Sequence, residues 1–287
     1  MGDLWNLYLN SIWYPFILTP FTNALLGIYN FLGHGVNAFG FAIIVFTILI
    51  KLLTWPLNGQ QLKGAKAMQD LQNDKEWQDI QKKYAKDREK LATEQMRIYK
   101  ERGINPLASC LPTLISFPII IGLYQSITHA LASSPLALLQ LARSVYSFLN
   151  IAALIPLNSH FLWMDLGRPE GIPFPGGFML PFLPYGFPTL AIIVAITTYL
   201  QTKLTMPPPT TGSSNDQGAA MNNMMSVYMP LFLGWLVLNY ASGLAIYFIT
   251  SNVLGIVQYA MMGRVNWSNL LPGAKQPVLA STSRKRR

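Results

Sequence analysis

Charged residues are scarce in this chain. They account for 11% of its 287 residues, whereas hydrophobic residues account for 51%. Soluble domains carry roughly 25% charged residues, which they need to cover their surface with hydrated groups. The shortage of charge therefore excludes the soluble classes and is typical of an integral membrane protein.

Cysteine and histidine are also rare. The single cysteine, Cys110, lies in an apolar stretch, and the three histidines (His34, His129 and His160) are far apart in the sequence. One thiol cannot build a disulfide framework, and the histidines form no ligand cluster. The sequence has no P-loop, and no nucleophile–base or carboxylate pair is placed at a credible intramembrane site. We therefore expect no metal, no cofactor and no enzymatic activity.

Long apolar runs dominate the rest of the chain. A transmembrane helix needs about 20 mostly apolar residues. Five segments meet this requirement: 36–57, 107–131, 186–206, 223–241 and 243–263. We predict an all-α integral membrane protein with a core of five transmembrane helices.

Two further apolar stretches are not counted as spans. Residues 12–33 contain two prolines followed by an amphipathic run. This pattern favours an interfacial helix within an extracytoplasmic segment, 1–35, with a sixth span as the alternative. Residues 135–157 include Arg143 and fall in a predicted extracytoplasmic loop, 132–185. The sequence leaves open whether these two stretches lie at the interface or are embedded.

Lysine and arginine are distributed unevenly around the five segments. Eighteen of the 21 lie in or beside the 58–103 loop, a linker at 207–222 and the tail, 264–287, whereas Arg143 and Arg168 lie on the opposite side. Because positively charged loops stay in the cytoplasm, we predict an extracytoplasmic N-terminus and a cytoplasmic C-terminus. A bacterial inner membrane is the expected location, with an organelle membrane as the alternative.

The 58–103 segment contains most of the charge, with 11 basic and 8 acidic residues. Apolar residues such as Leu62 and Met68 recur in it with helical spacing. A turn is expected near 85–88, and Asp87 is a candidate N-cap for the helix that follows. The pattern predicts an antiparallel cytoplasmic hairpin of two helices, with a solvated charged linker as the alternative.

Lys51 lies inside the first predicted span. An ionisable side chain at the centre of a membrane helix costs roughly 2.5–3.5 kcal/mol, so it is a candidate functional residue by default. Its backbone is only about 10 Å from Asn58, at about 1.5 Å per residue. A lysine at that depth could instead extend its ammonium group to the nearer headgroups. Both interpretations of Lys51 stay open from this residue alone.

Three motifs lie around the predicted spans. Residues 105–124 read NPLASCLPTLISFPIIIGLY, and residues 161–166 read FLWMDL. The third motif joins Met229-Pro230 to residues 242–252 and Gln258. Together they resemble the YidC/Oxa/Alb family of membrane-protein insertases, whose patterns are N-P-x-x-G-C-x-P-x-L-x-Q-x-P-x-x-x-x-L-Y and, before the third core helix, F-L-W-x-D-L. The resemblance covers about residues 15–263, without the large periplasmic domain of some bacterial members.

The resemblance implies a hydrophilic groove open to the cytoplasm and to lipid. Lys51 stands where the family usually has an arginine in that groove, and Ser116 stands where glutamine is frequent. The residues that the resemblance assigns to the substrate groove are Lys51, Gln201, Asn252, Ser116, Tyr247 and Gln258. It implies insertion and folding of nascent membrane proteins, with those substrates and membrane lipids as partners.

Further partners and two rival functions stay open. Arg284, Lys285, Arg286 and Arg287 are interpreted either as an anchor on anionic lipid or as a contact with ribosomal RNA. The Sec translocon is a further candidate partner. A structural assembly chaperone without insertase activity would need the same groove. A transporter is disfavoured because the five spans contain no aspartate or glutamate for ion coupling.

Overall fold

The computed structural model describes residues 9–57, 59, 64, 67, 71, 74–84, 87–104, 106–131, 134–150, 154, 157–172, 186–205, 217–263 and 265. In this part of the chain the helices are α1 (Thr19–Phe31), α2 (Ala38–Leu53), α3 (Lys75–Lys83), α4 (Arg88–Glu101), α5 (Pro106–Ala130), α6 (Pro135–Ser144), α7 (Thr189–Thr205), α8 (Gln217–Asn239) and α9 (Ser242–Met261). Two short strands, β1 (His160–Phe161) and β2 (Met164–Asp165), pair antiparallel.

Each of the five predicted apolar segments overlaps one of the helices α2, α5, α7, α8 and α9. The largest difference is at α8, which begins at Gln217 within the predicted linker 207–222. Alanine and methionine are frequent in its first turns, and both favour helix. Residues 206–216, most of 58–73 (including Leu62 and Met68) and the basic tail lie outside the described residues.

One helix in the described part of the chain, α9, is both long and apolar enough to cross a bilayer. Three shorter apolar helices accompany it: Ala38–Leu53, Thr189–Thr205 and Ser226–Asn239. This mostly helical architecture is consistent with an all-α membrane protein.

A π-helical run, Leu9–Leu18, leads directly into α1. It contains Pro15, which has no N–H to donate, and π-type turns are one way for a helix to absorb such an irregularity. The run and α1 pack along α5, where Trp13 Nε1 donates to Gln125 Oε1 at 2.6 Å. The prolines therefore do not interrupt the helical path. An interfacial location for this region stays a prediction.

The helices α2, α7 and α9 begin at the same end of the molecule. Three hydrogen bonds join the starts of these helices to the β1–β2 hairpin and the loop after it: Asn37 N to His160 O at 3.2 Å, Leu190 N to Glu170 Oε2 at 3.1 Å, and Gly243 N to Leu166 O at 3.1 Å. We call this end of the core the hairpin end.

The helices α5 and α8 finish at the hairpin end. A Cβ atom on Gly243, at the start of α9, would lie 2.9 Å from Ile127, near the end of α5. A Cβ on Gly234, near the end of α8, would lie 3.2 Å from the carbonyl oxygen of Ala191, at the start of α7. The five long helices therefore alternate in direction along the chain.

The apolar core is continuous between α1, α2, α5, α7 and α9. Its fully buried side chains come from all five helices and from the segment after β2: Leu25, Phe39, Ile43, Leu123, Ile127, Leu166, Val194 and Ala245. Gly40 allows β1 to join this core, because the Phe161 ring occupies the space where a Cβ on Gly40 would lie.

The helices α3 and α4 pack against each other around Leu71, Trp77 and Ile98. Asp87 Oδ1 accepts from Lys90 N at 3.1 Å, so the predicted N-cap at Asp87 is confirmed. The turn predicted at 85–88 includes two residues, 85 and 86, that lie outside the described part.

Arg102 forms ion pairs between the end of α4 and the start of α3, opposite the turn that connects the two helices. Arg102, which follows α4, donates to Asp74 Oδ2 at 2.7 Å and to Glu76 Oε2 at 3.1 Å at the start of α3. The pair is therefore antiparallel. The hydrogen bond from Arg102 holds the pKa of Asp74 below its usual range.

Candidate functional site

Three of the predicted groove residues lie at a similar depth. At about 1.5 Å per residue, Lys51 is about 20 Å from the start of α2, Asn252 about 15 Å from the start of α9 and Gln201 about 18 Å from the start of α7. These helices all begin at the hairpin end, α2 packs against α9, and α9 packs against α7. The three polar side chains therefore occupy the half of the core remote from the hairpin end.

The register between α2 and α9 places Lys51 and Asn252 close to the same level. A Cβ on Gly243 would lie 3.3 Å from Ile43 Cδ1. From this contact, Lys51 is eight residues along α2 and Asn252 is nine residues along α9. Both residues are therefore about 12–14 Å beyond the contact along their helices.

Lys51 is a half-buried cation in the last turn of α2. Its neighbours Leu49 and Leu52 are more than half exposed, so the lysine lies at the border between the packed and the open face of the helix. Among the described residues, its ammonium group has no hydrogen-bond or ion-pair partner. This cation is therefore available to an anionic ligand.

Asn252 joins α9 to α7. Its Nδ2 donates to Thr198 Oγ1 at 2.8 Å and to Thr197 Oγ1 at 3.1 Å, and the asparagine side chain is buried. Thr197 Oγ1 in turn donates to the carbonyl oxygen of Ile193 at 2.8 Å. Thr197, Thr198 and Asn252 therefore form a small polar cluster between two apolar helices.

Gln201 and Gln258 continue this polar region away from the hairpin end. A Cβ on Gly255 would lie 2.5 Å from Gln201 Nε2, so the absence of a side chain at Gly255 makes room for the glutamine. Gln258 is buried one turn further along α9. Buried amide groups on α9 thus extend from Asn252 to Gln258, over about two helical turns.

Tyr247 and Ser116 have different surroundings. Tyr247 is buried in the apolar core beside Phe248, with ring centroids 5.5 Å apart. It lies nearer to the hairpin end than Asn252 does. Ser116 is half-buried on α5, about 21 Å from the end of that helix at Ala130. Ser116 therefore shares the depth of Lys51 but belongs to another helix.

The described contacts join some of the predicted residues and leave others apart. Asn252 and Gln201 both lie in the α7–α9 contact, whereas no described hydrogen bond links Lys51 to either of them. The sequence interpretation missed Thr197, Thr198 and Gly255. The adjacent threonines in an apolar segment were the available signal, because hydroxyl groups there need partners.

A family model described as "60Kd inner membrane protein" matches residues 31–268. Membrane protein insertase YidC of Chlorobaculum parvum is 35% identical over 273 residues, which cover 94% of this chain and 40% of the relative. Membrane protein insertase YidC of Oceanobacillus iheyensis is 30% identical over 260 residues, which cover 89% of this chain and 85% of the relative.

A third relative comes from a chloroplast. Inner membrane protein ALBINO3 of Arabidopsis thaliana is 32% identical over 249 residues, which cover 81% of this chain and 48% of the relative. The chain thus spans less than half the length of the Chlorobaculum and Arabidopsis relatives and most of the Oceanobacillus one. Since the matched region contains α2 to α9 and all three sequence motifs, the chain belongs to the YidC/Oxa/Alb family.

Proposed function

We propose that this chain is a membrane protein insertase, which moves short polar tails of nascent membrane proteins across the bilayer and releases their apolar helices into lipid. Lys51 is the observation that carries this proposal, because a half-buried cation without a described partner lies in an apolar helix. Two relatives that match most of this chain are named insertases, which supports the same function.

The energetic problem of insertion is the transfer of polar groups through hydrocarbon. Each unsatisfied backbone N–H or C=O costs several kcal/mol there. A hydrated groove between α2, α7 and α9, with Lys51, Gln201 and Asn252 at its polar surface, would shorten the dry distance. The cation attracts acidic residues of a translocated tail, and this attraction is stronger where the local dielectric is low.

Release of the substrate requires no bond breakage. Once the tail has crossed, the apolar helix of the substrate partitions laterally into lipid, driven by burial of its apolar surface. The proposed activity is therefore not enzymatic, and it uses no cofactor.

The proposed topology makes spans of α2, α5, α7, α8 and α9, with the hairpin end outside the cytoplasm. Alternation of helix direction supports it, because each successive span must cross in the opposite sense. The α3–α4 pair would then stand on the cytoplasmic side as a platform for entering polypeptide. Arg284, Lys285, Arg286 and Arg287 would lie on that side too, with anionic lipid or ribosomal RNA as partner, and a Sec translocon could deliver the substrate.

Reconstitution tests the proposed function directly. The purified chain is placed in liposomes without other proteins, and a single-span substrate with a short tail is synthesised outside them. Protease protection of the tail should exceed that in empty liposomes. Protection equal to that in empty liposomes would refute autonomous insertion and leave an assembly chaperone.

A further inference from the structure

An exposed apolar patch lies at the hairpin end of α2. Its four members are Val36, Phe41, Leu162 and Trp163, whose exposed fractions are 70%, 51%, 64% and 55%. Two contacts join the segments that carry them: the Phe41 ring packs edge-on against Phe161 with centroids 5.5 Å apart, and Asn37, next to Val36, accepts from Leu162 N. We call these four residues the tip patch.

The fold holds Leu162 in an unfavourable backbone conformation. Its φ angle is +53°, a left-handed region that leucine rarely occupies. Leu162 N donates to Asn37 Oδ1 at 2.6 Å, and Asn37 is itself left-handed with φ +71°. Two left-handed residues from distant segments thus bond to each other, and the result is an exposed leucine at the turn of the β1–β2 hairpin.

The exposed surface of Trp163 is apolar. Its only polar atom, Nε1, donates to Glu170 Oε1 at 3.1 Å within the protein. A tryptophan at a bilayer surface ordinarily offers this N–H to water or headgroups. Because the N–H of Trp163 is already bonded, the rest of its ring matches an apolar environment better than an aqueous one.

The length of α2 and its exposed apolar stripe point to lipid as that environment. Its 16 residues span about 24 Å, whereas the hydrocarbon core of a bilayer is about 30 Å thick. The exposed apolar stripe of α2 runs from Leu52 through Leu49 to Phe41, and there it meets the tip patch. The patch therefore continues the stripe beyond the first residue of the helix.

We propose that the tip patch is a lipid-binding surface, buried among the acyl chains of the leaflet at the hairpin end. It lengthens the apolar surface of α2 along the membrane normal and so sets the depth at which the core lies in the membrane. Arg168 marks the limit of this surface. Its side chain is 84% exposed and pairs with Asp165 at 3.8 Å, a charged pair that fits headgroups or water.

Site-directed spin labelling in lipid nanodiscs tests this proposal. A nitroxide is attached to single cysteines in a Cys110→Ser background, at Leu162→Cys and, as the matched control, at Arg168→Cys. Collision rates are measured with oxygen, which concentrates in hydrocarbon, and with a water-soluble nickel chelate. The oxygen-to-nickel ratio should be several-fold higher at position 162 than at position 168.

A third label separates a folding defect from a wrong proposal. Val36→Cys leaves the strained turn at Leu162 untouched, and its ratio should also exceed that of the control several-fold. Ratios at 36 and 162 equal to the ratio at 168 would overturn the proposal, because the patch would then face water. A lipid-like ratio at position 36 with a water-like ratio at 162 would overturn it as well, since the hairpin would not enter the leaflet.

Discussion

The proposed activity depends most on the positive charge of Lys51. Lys51→Arg should retain insertion, because the charge survives and only its geometry changes. Lys51→Ala should reduce insertion of a substrate with an acidic tail by about tenfold, which corresponds to about 1.4 kcal/mol. Lys51→Glu should reduce it further, because a carboxylate repels the same tail.

The measurement is protease protection of two single-span substrates that differ only in tail charge. Lys51→Ala should leave insertion of the neutral-tail substrate nearly unchanged. An equal loss for both tails would contradict electrostatic attraction and leave hydration of the groove as the role of Lys51.

Asn252 has a structural role that can be separated from any role in the groove. Asn252→Ala removes both hydrogen bonds to Thr197 and Thr198, and hydrogen bonds between membrane helices contribute about 0.6–1.7 kcal/mol. The free energy of unfolding in mixed micelles should fall by about this amount. Asn239→Ala is the control, because in the described part of the chain Asn239 Nδ2 bonds to the carbonyl oxygen of Trp235 on its own helix and to no other helix. Equal losses in the two variants would argue against a bridge between α7 and α9.

The helix pair α3–α4 should respond to pH through Asp74. The pKa of Asp74 is lowered in the folded chain, and the hydrogen bond from Arg102 is the largest cause. The stability that this bond contributes is therefore present above the pKa of an unfolded aspartate, about 3.9, and is lost as the pH falls through the lower folded value. Asp74→Asn imitates the protonated form at neutral pH, and it should accelerate amide hydrogen exchange across Lys75–Lys83.

Arg97→Ala is the matched control for Asp74→Asn. Arg97 pairs with Glu94 and Glu101, which lie on its own helix. Its loss should speed exchange in α4 and leave α3 unchanged. If α3 exchanged faster in Arg97→Ala but not in Asp74→Asn, the result would contradict a stabilising ion pair between Arg102 and Asp74.

Elements were easier to predict from this sequence than the contacts between them. Hydropathy locates α2, α5, α7, α9 and the part of α8 from Ser226 to Asn239, because these segments are mostly apolar. The cap at Asp87 follows from local chemistry within a few residues. The β1–β2 hairpin depends on Asn37, which is 125 residues away from Leu162, and such pairing leaves no periodic signal. For the same reason, the sequence marks Asn252, Thr197 and Thr198 as polar residues in apolar segments but does not show that they pair across 55 and 54 residues.

The topology of the whole molecule can be tested with impermeant thiol reagents. In a Cys110→Ser background, Lys90→Cys in α4 should react only when the reagent reaches the cytoplasmic face. Arg168→Cys should react only from the opposite face, because α2 begins and α5 ends at the hairpin end. Labelling of intact spheroplasts and of inverted vesicles provides the two sides. Reaction of both positions from one side would contradict an odd number of spans between α4 and the hairpin.

The arrangement of the hairpin end has a consequence for how the molecule is made. Leu162 bonds to Asn37, 125 residues earlier, and the Ser242 hydroxyl bonds to the carbonyl oxygen of Arg168, 74 residues earlier. Contacts between such distant positions form slowly, because a long loop must close before they can stabilise the chain. During synthesis, more than a hundred further residues must therefore be added after α2 begins before Leu162 can bond to Asn37, next to its first turn. The helix α9 is the last of the core helices to be synthesised. If synthesis stops before residue 242, the earlier helices are complete but lack their contacts with α9.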